Sequence, residues 1–500
     1  MKKIVIIIAI SLAALSLGSC KEWLEATSST KIPASQLFET REGFEDALSG
    51  VYINMGSYGL YGRDLTWGYL DACVSPYNYS IAVNIKAFQN HLYNGVSAKL
   101  AIAEIWAQAY NMLANINLAL RELESHRDVI FDTDEYNLYH GELLALRAYI
   151  HFDLLRIFGI SNWQGDNASK LTVPYVLEYS SAVTPQKSYA ETATLLWNDI
   201  NSAIEALKAS DPLLMTAERK SSFDNTINID GFWNNRYFHL NYYAVLALAA
   251  RVSQWQNDNV AAAQYAQQVI DGAFDSLVQW IDVEAQSTAV SDDNRDWIFS
   301  AEHIFSLGIT NLYTMMSSSG WLMDTSGQKS GFSLPNSVVD NVLFVRNDPV
   351  TGSQAGAEDL RGPAMQLRIG GLGYYTFKYY GSSSYYPQYA NRIPMIRISE
   401  MYYMLAEDLI EREQPAKALE QLDIVRRNRG ISDDLPATAD APTELMKEYY
   451  REFISEGQLF YYLKHKQVTS SISPDFKITY TDLIFPYPDE ELNYGRKQEL

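Results

Sequence analysis

The sequence predicts a mainly α-helical fold: a stack of antiparallel helix pairs carrying long irregular loops and a few short strands. Three observations carry that prediction. Apolar residues recur at helical spacing, with Ala and Leu abundant, over 97–124, 135–158 and 189–207. Two helix pairs, 237–256 with 259–271 and 397–412 with 415–428, repeat one pattern. The segments 56–95 and 273–392 lose helical period and become rich in Gly, Ser and Tyr.

Each element follows from local chemistry. From Phe38 to Met55 an amphipathic stretch sets Phe38, Phe44, Leu48, Val51 and Tyr52 near helical spacing. Gly56, Gly59, Gly62 and Gly68 then break regular structure. Gly159 closes the 135–158 helix. Asn257-Asp258-Asn259 splits the first pair and Gln414-Pro415 the second. Ala250, Ala262 and Val269 share their spacing with Ala406, Ala418 and Val425, small residues that let antiparallel helices approach closely. The short break and the ladder of alanines resemble tetratricopeptide repeats, although the full consensus is not met. A last helical stretch is predicted over 443–466. SSSG at 317–320, GGLGYY at 370–375 and GSSSYYPQY at 381–389 are loop chemistry. Long loops on a compact scaffold usually carry function.

The N-terminus points to export. Lys2 and Lys3 precede an apolar run from Ile4 to Leu17. Fourteen helical residues reach about 21 Å, short of a bilayer core of about 30 Å, so this run reads as the apolar part of a signal peptide. Leu17-Gly18-Ser19-Cys20 resembles a bacterial lipoprotein signal-peptidase box. Residues 1–19 are therefore expected to be removed and Cys20 to carry diacylglyceryl and amide-linked acyl chains such as palmitate, enough for stable anchoring. Residues 20–36 follow as a polar tether and 37–500 as the folded body. With Cys20 lipidated only Cys73 remains, so no intramolecular disulfide can form.

Composition excludes further classes. The chain of 500 residues has 60 acidic and 39 basic side chains, a formal net charge of −21. Nucleic-acid binding needs the opposite balance, because phosphates are met by Lys and Arg. Motifs for catalysis are missing too. The seven His show no HExxH spacing, and neither a GxSxG elbow nor a GxxxxGK[ST] loop occurs. Gly370-Gly371-Leu372-Gly373 lacks the spacing of a dinucleotide site. Asp292, Asn294 and Asp296 match the first half of a calcium loop, but Trp297 replaces the turning Gly and no Glu closes the loop, so a solvated acidic turn is expected. No catalytic residue, metal ligand or cofactor is assigned.

Aromatic residues are in excess, with 35 Tyr and 10 Trp. In 56–95, Trp67, Tyr69, Tyr77 and Tyr79 lie among Asp64, Asp71, Asn78 and Asn84. An aromatic face takes the C–H groups of a sugar ring while amides and carboxylates take its hydroxyls, and Tyr313 and Trp321 could supply an opposing wall. The candidate ligand-binding residues are thus Trp67, Asp71, Tyr77, Asn78, Tyr79, Tyr313 and Trp321. Rings that merely fasten the loops onto the helices are the competing reading for each.

Six segments in order resemble the SusD/RagB family of outer-membrane lipoproteins, beyond the lipoprotein box at Cys20. They are WAQAYNMLANINLAL at 106–120, GELLALRAYIHFDLLRIFG at 141–159, EHIFSL at 302–307, IPMIRISEMYYMLAED at 393–408, REFISEGQLF at 451–460 and IFPYPDEE at 484–491. The last departs slightly from the family's Pro-Ile-Pro-x-x-Glu, and the Val173-Pro174 step stands later than usual after Gly159. The charges within these segments, Arg147, Arg397, Glu400, Arg451 and Glu456, lie in amphipathic helices and are read as buried pairs or caps rather than ligand residues.

The resemblance implies one SusD-like domain over 37–500. Its tetratricopeptide-like scaffold spans about 37–272 and 393–468, and its loop-rich ligand-binding part about 56–95 and 273–392. It also implies a surface-exposed, lipid-anchored outer-membrane protein that binds an oligosaccharide and hands it, without catalysis, to a SusC-type TonB-dependent β-barrel transporter. Glu22 and Glu25 after Cys20 are compatible with surface export. Peptide in place of glycan, or a secreted glycoside hydrolase on the same scaffold, are the rival readings.

Overall fold

A computed structural model describes residues 34–78, 83–289, 291–318, 333–346, 355–371, 373–379, 391–468, 472–473 and 476–495. The leader, Cys20, Tyr79 and Trp321 lie outside the described residues.

Helices dominate, and side-chain caps set where they start. The Thr40 hydroxyl accepts from the Gly43 N–H ahead of Arg41–Met55, and Asp132 accepts from Asp134 and Glu135 ahead of Thr133–Phe158. Ser188 and Glu191 form a capping box on Tyr189–Ser210. Asn241 and Asp258 cap Tyr242–Trp255 and Asn259–Ser276.

The helices stack in a continuous series. Arg41–Met55 lies on Val96–Ser125, which packs on Thr133–Phe158, itself against Tyr189–Ser210. Tyr242–Trp255 then pairs with Asn259–Ser276, and that helix packs on Ile398–Glu411, which pairs with Pro415–Arg427. The two expected helix pairs are therefore direct neighbours despite the long excursion between them. The six repeat positions Ala250, Ala262, Val269, Ala406, Ala418 and Val425 are all buried, as close helix approach requires. Thr133–Phe158 is the centre of the stack: every residue from Gly141 to Phe158 is buried. At Gly141 an added Cβ would lie 2.8 Å from Leu207 Cγ, so the neighbouring helix needs a glycine there.

Two small antiparallel sheets complete the fold among the described residues. Strand β1 (His303–Gly308) pairs with β5 (Arg392–Arg397), His303 opposite Arg397 and Gly308 opposite Arg392. The second sheet has the order β2 (Ser333–Leu334), β4 (Gly373–Thr376), β3 (Leu367–Gly370). Strand β5 runs straight into Ile398–Glu411, so the loop-rich part is joined rigidly to the helical stack. No helix among the described residues is long and apolar enough to cross a membrane.

Three expectations change. The stretch 443–466 is two helices, Ala441–Glu452 and Gln458–His465, because Ser455 (φ 63°) and Gly457 (φ 76°) turn the backbone left-handed between them. The helix expected from 237 begins at Tyr242, since Asn235 is left-handed (φ 51°) and Arg236–Phe238 forms a 3₁₀ turn. The excursion 56–95 is less irregular than expected and holds the short helices Tyr69–Val74 and Val83–Gln89.

Candidate functional site

The first excursion folds inward more than its composition suggests. Trp67 is fully buried in the core, and Tyr69 stacks on Phe88 with centroids 3.9 Å apart. Asp71 is fully buried as well. It accepts a hydrogen bond from the Tyr77 hydroxyl and another from the Ser455 N–H at 3.3 Å. Burial pushes the Asp71 carboxyl up to about 7, against the pull of these two bonds. Tyr77 is buried, and its hydroxyl pKa is raised by that burial and by Asp71. Trp67, Asp71 and Tyr77 are thus corrected from ligand contacts to fastenings of the loop: indole and phenol surface went into the core, and the carboxylate was claimed by a hydroxyl and a backbone N–H.

The other described candidates sit where the two excursions meet. Asn78 is exposed and its backbone exchanges hydrogen bonds with Ser333 at 2.8 and 3.1 Å. Tyr313 is half-buried on the short helix Leu312–Ser318. That helix receives the Tyr58 hydroxyl, which donates to the Met315 carbonyl at 2.8 Å. Arg63 lies over the Tyr58 ring at 4.6 Å while its side chain bonds Asp64. Tyr58 and Arg63 escaped the sequence reading because a Tyr and an Arg near glycines carry no signal of their own. The link across the excursions shows only through the bond from Tyr58 to Met315, a partner more than 250 residues along the chain.

Comparison with known proteins fits this architecture. A family model described as SusD-like, starch-binding and associating with the outer membrane, matches residues 22–221, and the SusD family model matches residues 370–476. The chain belongs to the SusD family. Among solved structures, a SusD superfamily protein from Bacteroides thetaiotaomicron VPI-5482 superposes with a TM-score of 0.72 at 19% identity, covering 91% of this chain and 98% of that one. A putative sugar-binding protein from Bacteroides vulgatus ATCC 8482 gives 0.67 at 20% identity, with 91% and 96% covered. A laminarin-binding SusD-like protein gives 0.63 at 20% identity, with 91% and 98% covered. No curated protein matches the chain significantly.

The SusD-like segments converge on buried ion pairs. Arg147 donates to Asp199 at 2.6 and 2.8 Å, and Arg251 holds Glu400 at 2.7 and 2.8 Å. The densest cluster surrounds Glu452, which accepts from Arg361, Arg397 and Arg429. Arg429 also grips Glu302 at 2.6 and 2.7 Å, while Glu456 accepts from Arg397 and Lys378. Burial opposes the Glu452 charge, yet Arg429, Arg397 and Arg361 together hold its carboxyl well below the usual range. Arg451 completes the cluster by pairing with Glu448 at 2.6 Å. These SusD-family charges therefore weld the sheet-bearing excursion to the last helices as buried pairs, although Arg397 ends β5 and Glu456 lies in the turn before Gln458–His465 rather than within helices as expected.

The acidic turn is closed by protein groups. Asp292 pairs with Arg368 at 2.8 Å. Asp296 is buried, not solvated as expected, and accepts from the Ser300 N–H and hydroxyl at 2.7 and 2.8 Å. Burial pushes its carboxyl up to about 6. Among the described residues no cluster of His, Cys, Asp and Glu has the arrangement of a metal site.

Proposed function

We propose that this SusD-family protein captures an oligosaccharide at the cell surface, held to the outer membrane by acyl chains on Cys20. It then passes the glycan unaltered to a SusC-type TonB-dependent β-barrel transporter. The observation that carries the reading is the meeting of the two loop-rich excursions, at Asn78 with Ser333 and at Tyr58 with Met315. It brings the two aromatic-rich segments together on a scaffold locked by buried ion pairs, and rigid placement of polar and aromatic groups is what a ring-stacking site requires. The family description, starch-binding and associating with the outer membrane, and the laminarin-binding relative favour glycan over peptide.

The proposed contacts are Asn78 and Tyr313 at the junction, with Tyr79 and Trp321 as the stacking rings. Trp67, Asp71 and Tyr77 fasten the first excursion to the core. Titration calorimetry of linear gluco-oligosaccharides against the protein and its Tyr79→Ala/Trp321→Ala variant tests this. Saturable binding that the double substitution abolishes, with thermal unfolding unchanged, supports the assignment. Full binding by the variant overturns it.

A further inference from the structure

Apart from the excursion junction, a cleft of about 520 Å³ opens beside the end of Asn259–Ser276, within the size range of small-ligand sites. Trp280, Asp282, Gln286, Asp296, Ser300 and Arg392 line it. We infer that this cleft is a second saccharide-binding site, taking a single sugar unit; the inference rests on the glycan-binding reading above and extends it to a separate place on the chain.

The walls are rigid. The Gln279 N–H donates to the Ala301 carbonyl, and the Ile281 N–H donates to Glu302, the carboxylate that Arg429 grips. Trp280 is held by Phe274 at 5.7 Å, Tyr402 at 5.5 Å and the Arg429 guanidinium at 5.7 Å, and it remains half-buried on the cleft. The indole is therefore fixed before any ligand arrives, so little side-chain freedom is lost on binding.

Polar side chains line the rest of the cleft. Gln286 is nine-tenths buried, and its carbonyl oxygen accepts the Asp296 N–H at 2.7 Å. That bond fixes the amide at the wall of the cleft. One Asp282 oxygen caps Ala285, and the exposed side chain offers the other as an acceptor. Arg392 enters from the start of β5, its guanidinium over the Tyr237 and Phe238 rings. An aromatic wall with amide, carboxylate, hydroxyl and guanidinium groups, and no run of one charge, suits a neutral polyhydroxylated ring better than an anion or a metal ion.

The test is calorimetry with two probes, free glucose and a linear gluco-oligosaccharide, on the intact protein and three variants. Gln286→Leu should weaken glucose binding about tenfold or more, the effect of leaving one buried hydrogen-bonding set unmade, while oligosaccharide binding at the junction persists. Asp282→Asn, which keeps the cap on Ala285, should also weaken glucose and guards against a Gln286→Leu result that reflects misfolding. Tyr79→Ala/Trp321→Ala should keep glucose binding and lose the oligosaccharide. Unchanged glucose affinity in both cleft variants overturns the cleft alone, as does wild-type protein that binds oligosaccharide but not glucose. Wild-type protein that binds neither probe overturns both sites.

Discussion

The Ser455 N–H donates to Asp71 at 3.3 Å, tying the first loop excursion to the break between the last two helices, 384 residues away. The bond places a buried carboxylate at the seam between scaffold and loops, with consequences for pH. Burial pushes Asp71 from 3.8 to about 7. Between those values the folded state holds more protons than the unfolded one, so this group's contribution to stability declines as pH rises through that window, by ~1.4 kcal/mol per pH unit. Asp71→Asn removes the titration and keeps an acceptor for Ser455. Urea unfolding at pH 5 and pH 8 should show the variant gaining on the wild type at the higher pH; parallel curves would contradict this account of Asp71.

Glu452 should be the most costly charge to neutralise. Glu452→Gln leaves Arg361, Arg397 and Arg429 short of their shared buried partner. Removing one member of a buried ionic network costs about 3–5 kcal/mol, so the urea midpoint should fall sharply. A loss under about 1 kcal/mol would show that the arginines repair the network among themselves.

Acid should unfold the protein through a second cluster. Burial disfavours the Glu142 charge, but His239 and Arg236 outweigh it and hold the carboxyl at about 2. A folded value below the unfolded one gives stability that is present above about pH 4.5 and lost as pH falls toward 2. Glu142→Gln should be less stable than wild type at pH 6, with the gap closing on acidification. Circular dichroism melts at pH 6 and pH 3 measure it, and an equal gap at both pH values would count against the assignment.

Backbone geometry gives a fourth stability test. Gly457 is left-handed, and a Cβ there would lie 2.5 Å from the Leu65 carbonyl oxygen. Gly457→Ala should cost about 1–3 kcal/mol. Gly50→Ala is the control: no neighbour lies within 4 Å of its added Cβ, inside a helix, so it should be neutral or gain about 0.5–1 kcal/mol. Equal melting shifts for the two would refute the steric argument.

Helix periods, the Gly159 stop and the repeated Ala-Ala-Val spacing were legible because they are local; the family charges also read correctly as buried pairs, although partners such as Arg251 and Glu400 stand 149 residues apart. The break at Ser455–Gly457 was hidden because apolar spacing continues through Phe453, Leu459 and Phe460. Its cause is contact with Leu65 and Asp71, far back in the chain. Trp67, Asp71 and Tyr77 misled for a related reason: composition says that a loop is aromatic and polar but not which way its side chains turn. Trp280 and Gln286 gave no pattern at all, since the cleft exists only once 279–286, 296–301 and β5 are brought together.

Capture without chemistry is tested most directly by one experiment: mixing the purified protein with linear gluco-oligosaccharides and following both bound ligand and newly formed reducing ends. Saturable binding with every oligosaccharide recovered intact is the predicted result. Release of shorter products, or no binding to any glycan while a peptide library is retained, would contradict it.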